Sequence, residues 1–101
     1  MGVRVSPCPP SMEELEATIK GRVQRVMYRD FAQRKARSRD LVGFVRNNAD
    51  GTVTVVAQGD KETLQQYAEL LRKGSILSSV ASVDLIWRKP TGTYTRFTIT
   101  Y

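Results

Sequence analysis

The order of hydrophobic patterns along the chain constrains its fold more than any other feature. Short apolar runs, alternating or continuous as in strands with a buried face, occur in five segments: residues 15–23, 42–45, 52–57, 83–87 and 97–101. Apolar residues recur at helical spacing in two segments: residues 28–37 and 61–73. The turn signal Asn48-Ala49-Asp50-Gly51 joins two of the strands into a hairpin. The predicted order is therefore strand–helix–strand twice, with one extra strand.

This order predicts an α+β fold. A βαββαβ chain with a short fifth strand corresponds to the split βαβ arrangement of the ferredoxin-like fold. Two helices would cover one face of an antiparallel sheet and leave the other face partly open. The second helix also carries boundary signals, since Asp60 is a typical N-cap and Gly74 follows its last residue. Many unrelated functions occur on this fold, so the fold alone does not define one.

Composition limits the chemistry that the chain can perform. The 101 residues suffice for one domain, which we place at residues 13–101, after a tail at residues 1–12 that we expect to be disordered. The chain has one cysteine, Cys8, and no histidine. An intrachain disulfide, a zinc cluster, a Cys–His pair and a Ser-His-Asp triad are therefore excluded, and we expect no metal or cofactor.

The sequence shows neither a membrane span nor a secretory signal. No apolar run approaches the ~20 residues that span a bilayer, and no signal-peptide pattern is found. We therefore expect a cytoplasmic protein with no membrane partner.

Positive charge is clustered in one part of the chain. The net charge is +6, and eight of the sixteen Lys and Arg residues lie between Arg22 and Arg46. The cluster indicates either a site for a small anionic substrate or a nucleic-acid-binding face. A solvated basic helix face is the alternative for most of these residues.

Two segments indicate which anion is involved. The string Gly-Arg-Val-Gln-Arg-Val-Met-Tyr-Arg at residues 21–29 ends a strand and begins a helix, so it brings backbone N–H groups and an arginine to a helix N-terminus. Such a loop is a site for phosphate. The string Val-Arg-Asn-Asn-Ala-Asp-Gly at residues 45–51 puts an amide side chain at a strand end, before a tight turn. Together they suggest chemistry on a phosphorylated small molecule.

The same segments resemble a known family. Gly-x-Val-Gln-x-Val-x-Tyr-Arg at residues 21–29, Gly-Phe-Val-Arg-Asn at 43–47, Asp-Gly-Thr-Val at 50–53 and Val-Val-Ala-Gln-Gly at 55–59 are similar to the acylphosphatase family, in order and spacing. The resemblance covers the chain from about Leu15 to Tyr101. It implies hydrolysis of the carboxyl–phosphate bond of small acyl phosphates without a metal.

The resemblance also implies the roles of particular residues. Arg29 takes the position of the phosphate-binding arginine, and Asn47 takes that of the asparagine that orients the attacking water. The phosphate cradle would consist of Gln24, Arg25, Val26, Met27 and Tyr28. These residue types suit the chemistry, because an acyl phosphate has a good leaving group and its hydrolysis requires mainly positioning and charge stabilisation. A guanidinium matches two phosphate oxygens at once.

Three positions depart from the family pattern. Arg25 replaces a loop glycine, so we expect weaker hydrolysis than in relatives that keep it, if that position requires positive φ. Arg39-Asp40-Leu41 replaces Leu-Gly-Leu, which puts Asp40 at a helix C-terminal glycine position and Arg39 at an apolar one. Ser75-Ile76-Leu77 replaces Gly-Pro-Pro, and we expect a looser loop there.

Alternatives remain at this stage. A catalytically weakened acylphosphatase-like binding or interaction domain would keep the fold without the turnover. An RNA-binding ferredoxin-like module is a further possibility, although Gly43-Phe44-Val45 matches only a fragment of the aromatic string of such modules. A third alternative is a carbamoyl-phosphate-handling domain of a larger maturation enzyme. The sequence shows no further module that would support this reading. The main prediction is a monomer that acts on a small acyl phosphate and has no nucleic-acid partner.

Overall fold

The computed structural model describes residues 12–24, 27–74 and 78–100. Seven elements follow one another along the chain: β1 Met12–Arg22, α1 Tyr28–Arg37, β2 Val42–Asn47, β3 Val53–Asp60, α2 Lys61–Lys73, β4 Ser79–Arg88 and β5 Phe97–Thr100. Both helices have the predicted bounds, whereas β1, β2, β3 and β4 are longer than their apolar patterns. Most of the expected N-terminal tail and the Ser75–Leu77 loop lie outside the described residues. Met12, which we had included in the tail, pairs with Asp60 in the β1–β3 ladder.

The five strands form one sheet in the order β4-β1-β3-β2-β5. The ferredoxin-like prediction is confirmed, but the sheet is mixed rather than wholly antiparallel. β5 pairs in parallel with β2, with Gly43 opposite Phe97 and Arg46 opposite Thr100. The reason is topological: the chain leaves β4 at one edge of the sheet and enters β5 at the other edge from the same end. β5 therefore runs opposite to β4 and in the direction of β2.

Both helices pack on one face of the sheet. The residues of β1 that alternate toward this face, Leu15, Ala17 and Ile19, are fully buried. Buried helix residues cover them, as the helical spacing predicted: Phe31, Ala32, Ala36, Leu64, Tyr67, Ala68 and Leu71. Lys35 lies half-buried at the margin, with its Nζ 5.9 Å from the centre of the Phe31 ring. The long stem of a lysine can cover apolar surface in this way while its ammonium stays in water.

The helix boundaries agree with the sequence signals. The Asp60 carboxylate accepts a hydrogen bond from the backbone N–H of Thr63 at 3.2 Å, and Gly74 ends α2 with φ +74°. α1 ends in a Schellman pattern, in which the Leu41 N–H donates to Ala36 O at 3.0 Å. Asp40 adopts φ +57° in this turn, at the position usually taken by glycine.

The segment between β4 and β5 crosses the helix-free face of the sheet. The backbone N–H of Thr91 donates to the Glu14 carboxylate at 3.0 Å, and Gln58 Nε2 donates to Gly92 O at 2.8 Å. Further along, the Tyr94 ring lies 5.9 Å from the Phe44 ring. The face that we expected to be partly open is thus partly covered by the chain itself. Neither of the two helices is long and apolar enough to cross a membrane.

Candidate active site

The loop between β1 and α1 is anchored at both ends. Val23 and Tyr28 are each 1% exposed. The Tyr28 hydroxyl donates to Leu71 O at 2.7 Å, so the first turn of α1 is held against α2. Tyr28 is therefore a packing residue, and its hydroxyl is not available to a phosphate cradle. Arg25 and Val26, which the sequence places in the cradle, lie outside the described residues.

Met27 gives this loop its sharp entry into the helix. It is the N-cap of α1 with φ +60° and ψ +28°, a left-handed conformation that is unfavourable for a residue with a side chain. Its carbonyl accepts the first helical hydrogen bond, from the N–H of Phe31 at 3.1 Å. Its side chain is 68% exposed. The sequence predicts an anion site at this helix N-terminus, because the N–H groups of a first helical turn favour an anion.

Arg29 lies in that first turn. Its Nη1 is 3.5 Å from Thr100 O at the end of β5, and its side chain is partly buried. Thr100 lies opposite Arg46 in the β2–β5 ladder, and Asn47 follows Arg46 directly. The guanidinium of Arg29 is therefore at the end of the sheet where β2 terminates, which brings the two segments singled out in the sequence to one region.

Asn47 is the last residue of β2. Its backbone lies opposite Val53 in the hairpin. Its side-chain Oδ1 is buried and has no hydrogen-bond partner in the described parts of the chain. Buried polar atoms are nearly always paired, so an unpaired amide oxygen at this position is an acceptor that suits a water molecule or a ligand.

Gln24 connects the loop to the hairpin turn. Its Nε2 donates to Asn48 O and to Thr52 O, both at 2.9 Å. The sequence had implicated only the backbone of Gln24. These two bonds span sequence separations of 24 and 28 positions, so no local sequence pattern predicts them.

Asn48 is the turn residue that we predicted. Its N–H donates to Thr52 O at 2.8 Å, and its Nδ2 donates to the hydroxyls of Thr52 and Thr54 at 2.9 and 2.7 Å. Asp50 accepts from the Thr52 hydroxyl at 2.6 Å, and this bond and that from the Thr52 N–H lower the pKa of the Asp50 carboxyl. The turn after Asn47 is thus extensively hydrogen-bonded.

Arg46 adds positive charge beside the turn. Its Nε donates to Asn48 Oδ1 at 3.4 Å, and its guanidinium lies 5.7 Å from the centre of the Phe44 ring. The sequence places Arg46 in the basic cluster and predicts no separate role for it. An exposed guanidinium one residue before Asn47 would attract an anionic substrate through solvent.

Comparisons with known proteins identify the family of the chain. The family model described as acylphosphatase matches residues 15–99. An acylphosphatase of Thermus thermophilus is 44% identical over 81 residues, which cover 80% of this chain and 92% of the relative. An acylphosphatase of Dehalococcoides mccartyi is 40% identical over 89 residues, with 87% and 98% of the two chains covered. The crystal structure of acylphosphatase from Bacillus subtilis superposes with a TM-score of 0.85 at 34% identity and covers 88% of this chain and 99% of that one.

The fold is ferredoxin-like, and the matched relatives are acylphosphatases, which form a class of hydrolases that act on acid anhydrides. The family model matches residues 15–99, which is almost the whole domain. The chain belongs to the acylphosphatase family.

Proposed function

We propose that this protein hydrolyses the carboxyl–phosphate bond of small acyl phosphates and releases a carboxylate and inorganic phosphate. Arg29 and the backbone N–H groups of the loop at residues 24–28 bind the phosphate, and the Asn47 carboxamide orients the attacking water. The observation that carries the proposal is the buried Oδ1 of Asn47, which has no hydrogen-bond partner among the described residues and lies at the end of the sheet where the Arg29 guanidinium lies. Membership of the family supports the same reaction.

The reaction needs no strong base. Water forms a bond to phosphorus while the bond from phosphorus to the acyl oxygen breaks, and the electron pair leaves on the carboxylate. The Asn47 Oδ1 accepts a hydrogen bond from the water and holds its oxygen in line, and the water's proton passes to the phosphate or to solvent. Because a carboxylate is a stable leaving group, positioning and neutralisation of the charge on the phosphoryl oxygens can supply the acceleration.

Benzoyl phosphate hydrolysis tests the proposal. The wild-type protein is expected to hydrolyse it in buffer containing a chelator. Arg29→Ala and Asn47→Ala are each expected to lower kcat/KM about 100- to 1,000-fold, as loss of one aimed hydrogen-bonding group does in comparable sites. Arg34→Ala is the matched control, since Arg34 is an exposed arginine of the same helix that pairs with Asp30 on the surface.

The outcomes separate the proposal from its rivals. An inactive wild-type protein would favour the catalytically weakened interaction domain. An active protein in which Arg29→Ala behaves like Arg34→Ala would remove Arg29 from the mechanism. We further propose that the protein acts as a cytoplasmic monomer without a nucleic-acid partner, which gel filtration and an RNA titration at two salt concentrations would check.

A further inference from the structure

We propose that Gln24 is a positioning residue whose side chain fixes the phosphate-binding loop to the turn that carries Asn47. The inference rests on the proposed function for its catalytic consequence. In this arrangement the carboxamide of Gln24 touches no substrate. It sets how far the loop N–H groups stand from the amide that orients the water.

Both N–H groups of the Gln24 side chain are bonded to the turn. A glutamine amide nitrogen carries two hydrogens, and the two bonds of Gln24 Nε2, to Asn48 O and Thr52 O at 2.9 Å, use both of them. No N–H of this side chain is left for a phosphate oxygen. Its effect on a bound substrate is therefore exerted through the backbone of the loop.

The turn does not need Gln24 for its own shape. Its backbone is closed by the bond from Asn48 N–H to Thr52 O and by that from Gly51 N–H to Asn48 O at 3.2 Å. The Asn48 and Asp50 side chains add bonds to Thr52. The two carbonyls that Gln24 reaches each already accept one of these backbone bonds. What Gln24 adds is a connection between the hairpin and a distant part of the chain.

In the described part of the loop, in contrast, the hydrogen bonds to the hairpin turn come from the Gln24 side chain. β1 and β3 pair only as far as Ile19 opposite Val53, so the ladder has ended before the loop begins. Beyond that pair, the side chain of Gln24 is the link from the described part of the loop to residues 48–52. Such a link matters for catalysis, because displacement of a positioning group by about 1 Å can cost about 100-fold in rate.

Kinetics of two Gln24 variants test the inference. Gln24→Ala removes both bonds, and Gln24→Glu sets a carboxylate against two carbonyls in the same volume. Each is expected to lower kcat for benzoyl phosphate about 10- to 100-fold. Gln33→Ala is the matched control, since Gln33 is also half-buried and its Nε2 donates to a distant carbonyl, Phe97 O at 3.4 Å. It is expected to keep kcat within about twofold of the wild-type value.

A double variant distinguishes positioning from general destabilisation. If Gln24 acts by fixing the distance between the loop and the Asn47 amide, then Gln24→Ala in the Asn47→Ala background should cost less than about threefold in kcat, because the amide is already missing. If the fold-losses in kcat of the two single variants multiplied in the double variant, the inference would be overturned. An active Gln24→Ala protein with the kcat of Gln33→Ala would also overturn it.

A readout without turnover keeps this inference separate from the proposed function. Gln24→Ala should increase microsecond-to-millisecond exchange of the backbone amides of residues 27–29 and 48–52 in NMR relaxation dispersion, and Gln33→Ala should not. An inactive wild-type protein would contradict the proposed function. Unchanged relaxation in Gln24→Ala would contradict the positioning role, whatever the activity.

Discussion

At the scale of single residues, the positions at which this chain departs from the family pattern have physical consequences. Arg39 occupies an apolar position of the family, and its Nη1 donates to Lys35 O at 3.3 Å and to the Ser38 hydroxyl at 2.9 Å, both close by in sequence. Its Nε is buried and has no hydrogen-bond partner in the described residues. A buried, unpaired donor lowers stability, so this substitution is tolerated rather than favourable.

Asp40 offers a direct test of backbone strain. Its φ of +57° costs an L-residue free energy that glycine does not pay. Asp40→Gly is expected to raise the free energy of unfolding by about 0.5–1 kcal/mol, and Asp40→Ala to lower it by about 0.5–1 kcal/mol, since Asp tolerates this region better than Ala. Urea denaturation measures both. Equal stability of the Gly and Ala variants would show that the turn relaxes to negative φ.

At the scale of elements, two tyrosines join the helices reciprocally. Tyr28 of α1 donates to Leu71 O of α2, and Tyr67 of α2 donates to Ala32 O of α1 at 2.8 Å. The Leu71 carbonyl lies in the last turn of α2, where the helix itself provides no partner. Burial raises the pKa of both tyrosines above its usual range, so both hydroxyls keep their protons and remain donors.

Removing either hydroxyl should loosen the helix pair. Tyr28→Phe and Tyr67→Phe are each expected to lower the free energy of unfolding by about 1–2 kcal/mol, because a buried carbonyl loses its donor. The loss should be greater for Tyr28→Phe, since Ala32 lies within α1 and its carbonyl can keep a helical bond. Tyr94→Phe is the control, because the Tyr94 hydroxyl has no hydrogen bond in the described residues. If Tyr94→Phe lowered the free energy of unfolding as much as the other two substitutions, the explanation would be wrong.

At the scale of the whole molecule, a buried carboxylate fastens the segment that crosses the sheet. Glu14 is fully buried in β1 and accepts hydrogen bonds from Gln58 at 2.9 Å, from Arg88 at 2.6 Å and from Thr91. Burial raises the pKa of the Glu14 carboxyl, but these hydrogen bonds lower it by more, so the net pKa is below its usual value of 4.5. β3, β4 and the crossing segment thus meet on one side chain.

The depressed pKa predicts how stability depends on pH. The charged Glu14 contributes in full above the unfolded-state pKa near 4.5, and its contribution is lost as the pH falls below that value toward the lower folded-state pKa. Glu14→Gln is expected to cost about 2 kcal/mol at pH 7 and less at pH 3. Urea denaturation at both pH values measures the difference, with Glu13→Gln as the control because the Glu13 side chain makes no described hydrogen bond or ion pair. A cost that does not change with pH would contradict the assignment.

Much of the fold could be predicted from local patterns. The bounds of α1 and α2 were predicted because a helix is specified by spacing within one segment and by its caps. The parallel pairing of β5 was not, because strand partners depend on where the chain crosses the sheet. In the same way, Arg29 and Asn47 were found through a family pattern, whereas the side-chain role of Gln24 required its contact with Asn48 and Thr52.

The sequence by itself determined the elements, the helix boundaries and the residue types at the site, because these depend on interactions among neighbours along the chain. Only the tertiary structure decided that Arg29 and the buried Oδ1 of Asn47 share one end of the sheet and that Glu14 is buried as an anion. These features depend on contacts between residues far apart in sequence. Such contacts form, and contribute to stability, only when the chain has folded.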